Sequence, residues 1–120
     1  MRKLLLLSLA MAAIVTPALC VTRHIQILAP YRAGQAQGNV VAVRGRAEIR
    51  PDITHPGTDV RLVNEEGRVV FIGFVPKLNE YDFPQLADLD GKTVVMWGVI
   101  EIYQGLPATQ LITRNQLRAA

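Results

Sequence analysis

The chain has 120 residues, 50% of them hydrophobic and 19% charged, with a formal net charge of +3. That balance excludes a disordered polymer and leaves room for one small core rather than two domains. The single cysteine, Cys20, excludes an intrachain disulfide and a thiolate metal site.

Met1-Arg2-Lys3 is a basic start, and Leu4 to Val15 is apolar apart from Ser8. Thr16-Pro17-Ala18-Leu19-Cys20 then brings a helix breaker and small residues. This pattern predicts a secretory signal peptide over 1–20. The apolar run is short for a membrane span, which takes roughly 20 residues. The mature chain is therefore expected in the periplasm or outside the cell, with no membrane span; an uncleaved N-terminal anchor is the alternative. Cys20 has two readings. It is the last residue removed, or it is the lipid-bearing first residue of a bacterial lipoprotein, although Pro17 and Leu19 depart from the lipoprotein pattern. Loss of Arg2 and Lys3 leaves 11 basic residues against 10 acidic ones. A net charge of +1 is no argument for nucleic-acid binding. The distribution is uneven: +3 over 21–63, −4 over 64–105 and +2 over 106–120.

Val21 to Ala29 alternates weakly and reads as a lead-in strand. Pro30 to Asn39, rich in Gly, Gln and Ala, reads as irregular or a brief turn, so 21–39 is a lead-in segment and the body is 40–120. Val40 to Arg50 alternates strictly. Val41, Val43, Gly45, Ala47 and Ile49 share one face; Ala42, Arg44, Arg46, Glu48 and Arg50 share the other. Pro51 to Gly57 is a loop. Thr58 to Asn64 is a second strand, Asn64-Glu65-Glu66-Gly67 a hairpin turn, and Arg68 to Val75 a third strand, apolar on both faces and expected to be covered on both. Phe83, Leu86 and Leu89 predict a short helix from Pro84, ended by Gly91. Thr93 to Tyr103 is the fourth strand, Gly105-Leu106-Pro107 a turn, and Ala108 to Thr113 the fifth strand. Three meandering strands, a short helix and a two-stranded hairpin predict an all-β chain with small α content: the OB-fold, a five-stranded Greek-key barrel. Mid-strand Gly45 and Gly98 are expected to supply bulges or sharp coiling.

The spacing Gly91, Lys92, Val94, Met96, Gly98, Ile100, Tyr103, Gly105, Pro107 resembles the bacterial "tRNA anticodon-binding-like" OB-fold family of nucleic-acid-binding domains. Val41-Ala42-Val43-Arg44-Gly45-Arg46-Ala47, Phe83-Pro84 and Gln116-Leu117 extend the resemblance over residues 38–117. It implies the OB-fold and a nucleic-acid ligand. Ala108-Thr109 departs from the family pattern, and the hairpin of residues 58–75 lacks a base-stacking aromatic pair.

Arg44, Arg46 and Arg50 form a row that Arg61 can join from the next strand, the arrangement single-stranded nucleic acid requires beside an aromatic ring. The alternative is a solvated face neighboured by Glu48. Trp97 and Tyr103 fall opposite Val94, Met96, Ile100 and Ile102, so they either face a ligand or, for Trp97, pack under residues 21–39. The loops 51–57 and 103–107 flank the usual OB groove and bring His55, Tyr103 and Gln104 to it. His24 and His55 are the only histidines, and no catalytic or metal-ligand pattern exists; Asp52 and Asp59 read as solvated loop acids. The expectation is an exported, non-catalytic binding module without cofactor or metal. It would bind single-stranded DNA or RNA weakly, or alternatively an envelope protein or an oligosaccharide in the same groove.

Overall fold

A computed structural model describes residues 26–120. The expected signal peptide over 1–20, Cys20 and residues 21–25 of the lead-in strand lie outside the described residues. The chain is mostly β. Among the described residues no helix is long and apolar enough to cross a membrane.

The elements are β1 (Ile27–Leu28), α1 (Pro30–Ala33), β2 (Val40–Pro51), β3 (Gly57–Val63), β4 (Val69–Pro76), α2 (Leu86–Leu89), β5 (Thr93–Val99), β6 (Glu101–Tyr103), β7 (Leu106–Gln110) and β8 (Leu117–Ala119). Short 3₁₀ turns cover Gly34–Ala36, Lys77–Asp82 and Arg114–Gln116. One sheet path runs β6-β7-β4-β3-β2-β5-β8, with β1 beside β2.

The alternation of residues 40–51 sets the sheet. Val40 to Arg46 pair with β5, and Arg46 to Pro51 pair with β3 on the other side. Where β3 does not reach, β1 runs parallel to β2, Ile27 beside Ala42 and Leu28 beside Val43. Val43 and Ala47 are fully buried from one face of β2, while Arg44, Arg46 and Arg50 are exposed on the other. Residues 30–36, expected to be irregular, are helical. Pro30 supplies a pre-set φ at the first turn, and Ala33 is driven into the core with no exposed surface. The pull is tertiary contact, which no local periodicity records.

The β3–β4 hairpin forms where the turn residues place it. Asn64 Oδ1 accepts the amides of Glu66 and Arg68 at 3.0 and 2.9 Å, and Gly67 takes a φ of +83°. The helix of the β4–β5 connection starts at Leu86, two residues after Pro84, because residues 77–82 first wind as a 3₁₀ turn. Phe83 and Leu89 are buried in the core as their spacing predicts. The helix exit is pinned to β2: Gly91 N–H donates to Ala47 O at 2.8 Å, and Asp90 Oδ1 accepts Ile49 N–H at 2.8 Å.

The expected fourth strand is interrupted at Ile100. Its N–H donates to Asn39 O at 3.0 Å and its carbonyl accepts Gly38 N–H at 2.8 Å, while its side chain is 1% exposed. The phase therefore changes there, and Ile102, expected in the core, is exposed. The turn that follows is Gln104-Gly105, with φ of 52° and 81°, rather than Gly105 to Pro107. Two consecutive positive φ values match the twist of a two-residue hairpin, so Leu106 and Pro107 already belong to β7.

Neither mid-strand glycine makes a bulge: the β2–β5 register runs without a break through Gly45 and Gly98. Both serve close approach instead. A Cβ at Gly98 would stand 2.3 Å from Thr109 Oγ1, and one at Gly45 would stand 3.3 Å from Pro30 Cγ. Thr109 cannot withdraw, since it is 2% exposed and its hydroxyl donates to Val99 O at 2.9 Å. Gly98→Ala should therefore lower the free energy of unfolding by about 1–3 kcal/mol, read from urea titration, with far-ultraviolet circular dichroism unchanged at zero denaturant.

Candidate functional site

The outer face of the sheet carries two cross-strand rows. One runs Arg50 (β2), Asp59 (β3), Phe74 (β4), Gln110 (β7); the other runs Glu48, Arg61, Ile72, Ala108 and then Glu101 of β6. Ile72 and Phe74, expected to be covered like the opposite face of β4, are only half-buried. They floor a cavity of about 150 Å³ walled by Asp52, His55, Asp59, Glu101, Tyr103 and Thr109, among others.

The loop between β2 and β3 closes one side of this pocket. Asp52 Oδ1 accepts the amides of Thr54 and His55 at 2.8 and 2.7 Å and the Thr54 hydroxyl at 3.1 Å, an Asx turn that fixes the loop. Tyr103 comes from the opposite side. Its hydroxyl lies 3.2 Å from His55 Nδ1 and 3.2 Å from Thr54 Oγ1, and Thr54 Oγ1 lies 3.0 Å from His55 Nδ1. The imidazole also meets Phe74 and Tyr103 edge-on, with centroids 6.2 and 5.9 Å apart. The two loops expected to flank the groove are thus joined by a hydroxyl–imidazole triangle.

Asp59 is the buried charge of the site, 5% exposed. Its Oδ2 lies 3.4 Å from Arg61, and its Oδ1 has no partner among the described residues apart from the Asp52 carboxyl. Burial, then the hydrogen bond and the charge of Asp52, push Asp59 up to about 6, against the pull of Arg61. Asp52 moves the other way. Burial works against its charge, but the hydrogen bonds from the His55 amide, Asp59 and Thr54 hold it below the ordinary carboxylate range. The two neighbouring carboxyls are thus shifted in opposite directions, Asp59 up and Asp52 down.

The predicted site residues do not converge on one place. His55 and Tyr103 meet in the pocket, while Gln104, beside them in sequence, is exposed at the turn and does not line it. Arg50 and Arg61 are neutralised: Arg50 lies 3.2 Å from Asp90 and 3.7 Å from Glu48, and Arg61 pairs with Asp59. The Ile49 amide and then the Arg50 guanidinium hold Asp90 below its ordinary range. Arg44 and Arg46 are exposed on the half of β2 that pairs with β5, with no ion-pair partner among the described residues. The basic row is thus split, and its pocket end alternates with acids. Trp97 is half-buried, its indole N–H donating to Asn115 O at 3.0 Å; it lines a shallow neighbouring hollow with Val40, Val99 and Gln116.

Asp52, Asp59, Thr54 and Phe74 were not anticipated as site residues. Asp59 had a readable signal: an aspartate inside an apolar strand is depleted by β preference and wants a reason. No family model matches the chain, and no curated protein matches it.

Because the Asp59 pKa is raised on folding, the group contributes least when ionised. Stability is greatest below the unfolded value and falls as pH rises through about 6. Asparagine can keep donating to Asp52 without ionising. Asp59→Asn should therefore raise the free energy of unfolding by about 1–3 kcal/mol near pH 7.5, by about half as much near pH 5, and leave it nearly unchanged near pH 3, measured by urea titration.

Proposed function

We infer that the chain is an exported, non-catalytic binding module built as a five-stranded OB barrel, with its ligand in the pocket under the 52–56 loop. Support for the barrel lies in the pairing. β5 and β6 are separated only by Ile100, whose backbone bonds to residues 38 and 39 extend the β2–β5 ladder. Were β5 and β6 counted as one strand, it would join β2 at one side and β7 at the other, the closure a barrel requires. Support for export is the basic–apolar–small pattern of residues 1–20.

The observation that carries the binding reading is the pocket itself: a half-buried apolar floor, a fixed loop, and the buried carboxyl of Asp59 in its wall. Its acid lining favours a group presented by an envelope protein or glycan over a phosphate. Ile53, at the tip of the same loop and 91% exposed, is a bare apolar contact of the kind a macromolecular partner covers. Amide and side-chain NMR spectra of the protein, recorded against small cationic, neutral and anionic probes and oligosaccharides, test this. Shifts confined to residues 52–59, 72–74 and 101–110 are expected; no shift there with any probe overturns the reading.

Single-stranded nucleic acid is a second reading, favoured by exposed Arg44 and Arg46. Fluorescence anisotropy with a labelled oligonucleotide should then show weak binding that is lost on raising salt from about 50 to about 200 mM and reduced by Arg44→Ala with Arg46→Ala. No binding at low salt with tens of micromolar protein removes it.

A further inference from the structure

We propose that the pocket selects an organic cation, a primary ammonium or guanidinium group on a short apolar stem, held by Asp59 and Asp52 and walled by Phe74 and Tyr103. The proposal rests on the pocket being the binding site and names the ligand class it takes.

Three observations converge. First, Asp59 Oδ1 is buried without a donor other than the Asp52 carboxyl. A buried carboxylate oxygen left in that state is costly, and a donor arriving with a positive charge relieves it most. Second, the pocket lining holds three acids, Asp52, Asp59 and Glu101, and no lysine or arginine. Arg61 touches Asp59 from beside the pocket at 3.4 Å, so it offsets one charge only in part. An anion would be repelled, and a neutral hydroxyl would leave the field uncompensated. Third, the size and surface suit one side chain. A cavity near 150 Å³ accommodates a group about the size of benzene. Ile72 and Phe74 would meet the stem, and aromatic rings beside a desolvated cation add attraction.

The same chemistry comes from two sources: a free amine, or a lysine or arginine side chain displayed by a partner protein. The test uses n-butylamine, 1-butanol and butyrate as isosteric probes, with acetylated, amidated Gly-Lys-Gly and Gly-Arg-Gly peptides, monitored by NMR shifts of the protein near pH 7.5. The amine should shift residues 52–59 and 101–110 with a dissociation constant of about 1 mM, the range that so few heavy atoms allow. Butanol and butyrate should bind at least tenfold more weakly. A peptide that binds at least tenfold more tightly than butylamine assigns the source to a displayed side chain; equal or weaker binding assigns it to a free amine. Asp59→Asn should weaken amine binding about tenfold, and so should Asp52→Asn, while Arg44→Ala should leave it unchanged. If butanol or butyrate binds as well as the amine, the cation assignment is overturned and the pocket stands as a site of another class. If no probe shifts the pocket, both readings fall.

Discussion

Everything in this molecule hangs on the division of β2 between two partners. Residues 40–46 give their outward hydrogen bonds to β5, residues 46–51 give theirs to β3, and Arg46 is the position where the partner changes. A one-residue slip against either neighbour would exchange the two faces of the strand. Val43 and Ala47 would go to water and Arg44 and Arg46 into the core, a penalty far above the marginal stability of a small domain. The register is therefore held by burial along the whole strand. It sets β3 so that its first residues pair with the end of β4, and the loop before them brings His55 onto Phe74 at the outer face. The pocket is a geometric result of that pairing.

The electrostatics follow from the same rows. Register sets Arg50 and Arg61 among acids, and each finds one: Arg50 pairs with Glu48 and Asp90, Arg61 with Asp59. What is left only partly cancelled is the pair Asp52 and Asp59, since Arg61 offsets Asp59 from one side at 3.4 Å. Their proximity, rather than any single residue's chemistry, makes the pocket negative.

Much of this is legible in the amino-acid sequence. Strict alternation marked β2, the Asn64 to Gly67 turn marked the β3–β4 hairpin, and the three-residue spacing of Phe83, Leu86 and Leu89 marked the burial of the connection. These features are local, and local sequence encodes them. Loop placement was legible as well, and the structure brings His55 and Tyr103 from the two loops together. What escaped is set by contacts distant in sequence. α1 exists because Ala33 finds the core. Ile100 breaks its strand because it must bond to residues 38 and 39. The row of arginines looks continuous along one strand and is interrupted only by acids from elsewhere, Asp90 for Arg50 and Asp59 for Arg61. Asp59 carried a signal as an acid within an apolar strand, but its burial depends on residues distant in sequence.

The end of the chain carries one more contact of this distant kind. The Gln116 amide uses its full bonding capacity: Oε1 accepts the amides of Ile112 and Thr113 at 2.8 and 3.0 Å, and Nε2 donates to Trp97 O and Gln110 O at 2.9 and 3.1 Å. One side chain thus ties β5, the exit of β7 and the final turn together, and Leu117 then pairs with Met96. During synthesis, β2 emerges some fifty residues before its β5 partner, and this tie comes later still. Closing such distant pairs carries a loop-entropy cost before any reward. The native state is therefore completed only after Gln116 has left the ribosome, and until then the chain holds unpaired strand edges.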